Sequence, residues 1–584
     1  MTPARALSGR TLAWLAAPCL AALLAGCGLP LADGVQRPGE VPAEQRLSEP
    51  ISVLPPGPQP GASPEAVVFG FLAAQSSARD EHGIARQFLG PAQARTWDDD
   101  AGVTVYDPST AGTRTDQDSD GVVVSLRLDV VGGVQRDGAA DVRAATQVVQ
   151  HYRLRQEPDR QWRLVQVPSG LSLTTAARDR AYDALSVYFL APQVPGAGRH
   201  LVPDLLQLPA GEERAAVLVD RLLGGPSGGL DDSVQTAVPA GTRVVSPVRT
   251  SAQGEVTVDL SQEVAALSEP ARQELSAQLV WTLRQVPGFA RLRLLVDGED
   301  LQVPGVAQPQ PQSSWPGFNP SGPSERPGGL ALVGGQLRDL DRTREQPPAV
   351  LQERSHVVDV AVDPRSSALA VLTDHDGRRT VQTGPLTGGL TDGPTQEGLL
   401  SPTWGSGELG LWLLRSGRFP AVLLLPPDGA PLVQVAVQGL PALDDDALLR
   451  VSRDGARVAL VADGVLYVGR VVLGGVQPRV VDLRRLATGV RDVAWQTGTT
   501  LAVLVEDTQA PLLPLLRLSV DGTSAVASAL LGVGEGDPVA LAAYGEQPLL
   551  VQTRLNSRST VYAGDGVRGF QLVLRKASRP AYPR

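Results

Sequence analysis

Cysteine is almost missing from this chain: Cys19 and Cys27 are the only two among 584 residues. Both lie at the amino-terminal end, so a body processed at Cys27 has no further thiol for a disulfide, a nucleophile or a cysteine-ligated zinc. A chain without such staples must bury large cores of its own. Methionine is limited to Met1 and lysine to Lys576, so arginine carries nearly all the positive charge. Aromatic residues make up 4% and are not interleaved with basic ones. The formal net charge is −10, and −12 once Arg5 and Arg10 are removed. Such an acidic balance argues against nucleic acid and against a polybasic membrane patch. No apolar run reaches the roughly 20 residues of a membrane span. A phosphate-cradling G-x-x-x-x-G-K-[ST] loop is absent. The five histidines, His82, His151, His200, His356 and His375, do not fall at metal-ligand spacing and read as surface or structural residues. No metal and no cofactor is expected.

What is present begins with Arg5 and Arg10, followed by an apolar stretch from Thr11 to Leu23 and then Leu24-Ala25-Gly26-Cys27. A positive start, a short apolar core and small residues before a cut describe a signal peptide over 1–26. The tetrapeptide resembles a bacterial lipobox. In that motif the Cys27 thiol receives a diacylglyceryl group, and the new terminal amine is then acylated. Two or more acyl chains give stable anchoring without any protein span, since each buried CH₂ contributes about 0.8 kcal/mol. The body of the protein is therefore expected to sit tethered at the outer face of the cell membrane.

Residues 27–63 read as the lipidated Cys27 and a proline-rich tether. Residues 64–178 carry helical spacing at Val67, Val68, Phe71 and Leu72, then strand-like runs at Val122–Leu128, Ala145–Leu154 and Gln161–Val165. Helices followed by a curved antiparallel sheet predict an NTF2-like α+β domain. Residues 180–305 read as β-β-α-β-β-α-β, with a helix over Glu212–Leu223 stopped by Gly224-Gly225-Pro226 and a second helix presenting Leu275, Leu279, Leu283 and Val286. Residues 306–328 are a second proline-rich linker. Across 329–584 the helical period disappears, and short apolar runs recur at Val357, Leu400, Leu448, Val490 and Pro538. That spacing suits four-stranded propeller blades, so an all-β irregular propeller is expected rather than a sandwich.

Four motifs imitate catalytic or metal chemistry. Gly225-Pro226-Ser227-Gly228-Gly229 matches G-x-S-x-G, but a helix enters it and a polar loop leaves, the reverse of a nucleophile elbow. Asp116-Gln117-Asp118-Ser119-Asp120-Gly121 opens like a calcium loop, but its twelfth position is Arg127, and it reads as an acidic turn. Asp374-His375-Asp376-Gly377 and Asp444-Asp445-Asp446 likewise read as turns. No catalytic residue is assigned and no enzyme is expected.

Taken in order, the lipobox, tether, α+β domain, second α+β domain, linker and propeller resemble the LpqB family of actinobacterial lipoproteins. The residues that carry the likeness lie in the middle: Val187-Tyr188-Phe189-Leu190, Leu222–Pro226, Val238-Pro239-Ala240-Gly241-Thr242, Val258-Asp259-Leu260-Ser261, Trp281-Thr282-Leu283 and Val296-Asp297-Gly298. These are similar to a GerMN (germination and sporulation) domain. The resemblance implies an accessory lipoprotein that contacts the extracytoplasmic region of a sensor histidine kinase of the MtrB type and so modulates an MtrA-type regulator. The alternative is an envelope module that binds a cell-wall glycan or a small ligand.

Overall fold

The computed structural model describes residues 55–583, apart from 78–81, 194–198, 212, 321–327, 335, 341–355, 364–367, 387, 406–408, 428–429, 474–476 and 507–513. The signal peptide and Leu24, Ala25, Gly26 and Cys27 lie outside the described residues.

The first folded segment starts at helix α1 (Pro64–Ala74), where the Ser63 hydroxyl accepts from the Ala66 amide at 3.2 Å and Pro64 occupies the first turn. Val67, Val68, Phe71 and Leu72 are buried on it. The next helix is a single turn, α2 (Gly83–Arg86), followed by α3 (Pro91–Thr96). Phe88 and Leu89 fall after that turn, and Leu89 bridges to Leu164 of the sheet. The sheet is ordered β4-β3-β2-β1-β5 from β1 (Val103–Asp118), β2 (Gly121–Val134), β3 (Ala140–Gln156), β4 (Trp162–Gln166) and β5 (Leu171–Thr174). On β2 the alternation of Val122, Val124, Leu126, Leu128 and Val130 turns one face onto α1 and the other to solvent. Phe71 and Trp97 pack with ring centroids 5.2 Å apart at the centre of this core.

The second domain runs from α4 (Thr175–Ala181) into a two-stranded ribbon, β6 (Tyr182–Leu190) and β7 (Leu201–Pro209). After α5 (Arg214–Leu223) come β8 (Val244–Thr250), β9 (Glu255–Leu260), α6 (Glu269–Leu283) and β10 (Arg291–Val296). β9 and β10 are parallel, with α6 as their crossover. The leucines expected on α6 are buried, but so are Ser276, Gln278 and Thr282. The cause is the free edge of β6. Thr282 accepts from the Tyr188 amide at 3.1 Å, and Gln278 donates to the Tyr188 carbonyl at 2.9 Å. Gln278 also accepts from the Ala237 amide at 2.8 Å. Helix side chains thus stand where a neighbouring strand would, leaving these backbone groups paired.

The stretch 306–328, expected to be a spacer, is built into this domain over its first half. Gln310–Pro311 pairs with β10, Gln310 is fully buried, and the Trp315 indole donates to Ser276 at 3.0 Å. Arg284 stacks 3.6 Å from the Trp281 ring and donates to the Gln312 carbonyl at 2.7 Å. Its prolines interrupt helices without preventing docking.

Among the described residues the carboxy-terminal region is all β, arranged as six blades, two of which merge into one eight-stranded sheet. Blade I is composite: Leu330–Val333 and Gln336–Asp339 pair with the chain's last strand, Ala577–Ala581. Blades II to VI each have four antiparallel strands, and their innermost strands are His356–Val362, Leu399–Trp404, Leu448–Val451, Val490–Trp495 and Asp537–Ala542. The apolar runs that recur in the sequence are these innermost strands. Each innermost strand packs on the next, and that of blade VI packs on Ala577–Ala581, which returns to blade II and closes a ring. The Trp404 indole donates to the Ala361 carbonyl at 3.2 Å and the Trp495 indole to the Arg450 carbonyl at 2.9 Å, the same tie between successive blades. Blades III and IV are also joined at their rims, where Ala436 and Val437 pair with Arg479 and Val480.

Candidate functional site

Two places gather polar groups: the seam where the domains meet, and the centre of the propeller. The seam is organised by β7. The Arg457 guanidinium donates to the Pro203 carbonyl at 2.8 Å and the Gly498 carbonyl at 3.2 Å. His200 lies 3.0 Å from the Asp454 carbonyl through its Nε2. Gln207 donates to Asp521 at 2.8 Å, while its backbone amide donates to Gly138 of the first domain at 2.8 Å. Apolar contact among Ala191, Val202, Leu230 and Ala456 fills the same seam. β7 therefore touches the first domain on one side and propeller blades IV and V on the other.

Ser227, the centre of the G-x-S-x-G imitation, belongs to this seam. Its hydroxyl donates to one oxygen of Asp204 at 2.9 Å and its amide to the other at 2.8 Å, and both residues are buried. Burial pushes the Asp204 carboxyl above its ordinary value, against these hydrogen bonds and the nearby Arg457 charge. Among the described residues no histidine is hydrogen-bonded to this pair, whose two bonds close a loop after α5. The calcium-like run forms the β1–β2 hairpin turn: Asp118 accepts from Arg153 at 2.8 Å and from the Asp120 amide at 2.9 Å. Asp376-Gly377 is likewise a hairpin turn, and Asp445-Asp446 forms a turn before the innermost strand of blade IV. Among the described residues, no three His, Asp or Glu converge as a metal-holding group.

The propeller centre holds a pocket of about 600 Å³. The innermost strands of blades II, III, V and VI each carry a bulge at this level, next to Asp359, Ser401, Asp492 and Ala540. Bulges turn side chains out of the regular alternation. Asp492 accepts from the Leu541 amide of the next blade at 2.7 Å, and Ser401 accepts from the Leu449 amide at 2.9 Å. Arg450 is buried on the floor, 3.7 Å from Asp492. At the far end of the same strands, Arg453 lies 3.6 Å over the Tyr544 ring, bridging blades IV and VI across the end of the channel. Burial pushes the Arg453 guanidinium down to about 10, so it is still charged at neutral pH. No local motif joins residues from six blades, so these channel groups carry no shared signature along the chain. The only local signal was the acidic run Asp444-Asp445-Asp446.

Architecture and sites define a multidomain scaffold in which the second α+β domain is seated on a closed β-propeller. Family models match it in three consecutive parts: the lipoprotein LpqB N-terminal domain over 57–179, a sporulation and spore germination domain over 186–302, and the lipoprotein LpqB beta-propeller domain over 335–583. The chain belongs to the LpqB family of lipoproteins. It is 28% identical over 652 residues to lipoprotein LpqB of Thermobifida fusca (strain YX), covering 99% of each chain. It is 28% identical over 537 residues to lipoprotein LpqB of Cutibacterium acnes, covering 86% of this chain and 88% of that one. Among solved structures, the tandem GerMN domains of the sporulation protein GerM from Bacillus subtilis share 19% identity over 26% of this chain and 54% of that one, with a TM-score of 0.20. These relatives bear a lipoprotein name rather than an enzyme name, and the family places the chain in the membrane-anchored cell envelope.

Proposed function

We propose that this lipoprotein is held by Cys27 at the outer face of the cell membrane and modulates a sensor histidine kinase of the MtrB type by direct contact. The observation that carries the reading is the β7 seam, where buried hydrogen bonds join three domains that offer surface for binding rather than an assembled nucleophile. A scaffold welded in this way presents its outer surfaces in one arrangement, as a contact regulator requires. Ser227, the residue that most resembles a nucleophile, is committed to Asp204.

Photo-crosslinking from surface positions in intact cells, read by mass spectrometry, tests the proposal. Recovery of the extracytoplasmic region of the kinase is expected. Repeated recovery of other envelope proteins without it would overturn the reading.

A further inference from the structure

We propose that the open end of the propeller channel binds a short zwitterionic peptide, its ammonium end against blade IV and its carboxylate end against blades I and VI. In a closed ring of six, blade IV stands opposite blade I. The pocket wall contributed by blade IV carries Asp444, Asp446 and Asp463, whose carboxylates have no hydrogen-bond or ion-pair partner among the described residues. The opposing wall carries Arg579 from blade I and Arg554 from blade VI, whose guanidinium groups are equally unpaired among the described residues. On the floor, Arg450 is 5% exposed and its Nε has no partner. Opposite charges that face each other across a cavity, rather than meeting, leave a field that a ligand of matching polarity can satisfy.

The lining selects among ligand classes. Among the described residues no aromatic side chain lines the pocket, so these offer no ring for a sugar face to stack on. A phosphate would meet the acidic wall, and a divalent cation lacks three converging ligands among the described residues. A volume of about 600 Å³ suits a molecule of a few residues. The mouth lies at the opposite end of the innermost strands from Asp454 and Gly498, the turns that seat the GerMN-like domain, so that domain does not cover it.

Calorimetric titration of the purified full-length lipoprotein in detergent with di-, tri- and tetra-alanine tests the site. The extended probes span about 7, 10 and 14 Å, so the preferred length reads the gap between the walls. One of them is expected to bind saturably. Its N-acetylated form and its carboxamide form should each bind at least about tenfold more weakly, a loss of about 1.4 kcal/mol. Replacing both arginines (Arg554→Gln with Arg579→Gln) should reduce the free peptide to the level of its carboxamide. Replacing both exposed acids (Asp444→Asn with Asp446→Asn) should reduce it to the level of the N-acetyl form. All four side chains are charged groups without hydrogen-bond or ion-pair partners among the described residues, so both variants should keep the parent's unfolding midpoint. The proposal is overturned by no saturable binding at millimolar peptide, by equal binding of blocked and free forms, or by unchanged binding in both double variants. Peptide binding and kinase crosslinking are read separately, so either proposal can fail alone.

Discussion

Arg457 donates to the carbonyl oxygen of Pro203 at 2.8 Å, joining two residues 254 positions apart. Both groups are buried, and Asp454 lies 3.7 Å from the same guanidinium. The bond fastens the GerMN-like domain to blade IV of the propeller. Arg457→Ala leaves the Pro203 carbonyl unpaired and the Asp454 carboxylate uncompensated, a loss of about 3 kcal/mol. A lower thermal midpoint is expected, with unfolding split into two transitions in calorimetry. An unchanged single transition would show that the seam does not depend on this bond.

Gly498 tests the same seam through sterics. A Cβ at this position would lie 2.9 Å from Pro203 Cγ and closer still to the Asp454 carboxylate. Gly498→Ala should therefore loosen docking without altering either domain's own core, by about 1–3 kcal/mol. Limited proteolysis should cut between residues 306 and 330 faster in the variant than in the parent. Equal rates would mean that the seam absorbs the extra methyl.

Arg453 is buried with all three guanidinium nitrogens lacking a hydrogen-bond partner among the described residues, its compensation being the Tyr544 ring. Arg453→Met keeps a flexible side chain against that ring and removes the buried charge. Denaturant unfolding should show a stabilisation of about 1–2 kcal/mol. A loss of that size would indicate that the guanidinium makes contributions beyond the ring stack.

His82 is partly buried in the first domain at φ 57°, its ring 6.2 Å from that of Trp97. Burial holds its imidazole below the ordinary value of 6.5, while Asp99 opposes and Arg86 assists. The unfolded chain thus takes up a proton that the folded chain refuses. Stability is complete above about 6.5 and falls as the pH drops through and below it. His82→Asn tolerates the left-handed backbone and does not titrate. Denaturant midpoints at about pH 7.5 and about pH 5 should differ less in the variant than in the parent.

Cys27→Ser removes the thiol on which the anchor is expected to form. Cell fractionation should find the variant folded but released from the membrane, since an unprocessed apolar stretch this short anchors poorly. Full membrane retention would count against the lipid-anchor assignment.

Local physics made much of the fold legible. Strand alternation at Val122–Leu128, the Gly224-Gly225-Pro226 helix stop and the recurring runs from Val357 to Pro538 arise from periodicities within a few residues of chain. The buried polar face of α6 was not legible, because Gln278 and Thr282 look like ordinary surface residues until the free edge of β6 is placed beside them. The docking of Trp315 in a proline-rich stretch was hidden for the same reason.

By itself, the sequence determined the order of domains, the β character of the carboxy-terminal half and the likeness of Leu24-Ala25-Gly26-Cys27 to a lipid-attachment site. Each of these is written in neighbouring residues. Tertiary structure alone decided that six blades close, because closure pairs Leu330 with Ala581. It also decided that Asp444 and Arg579 face one pocket and that Arg457 locks onto Pro203. Such pairings depend on long-range geometry, and no local pattern records which distant partner a charge or a strand edge will meet.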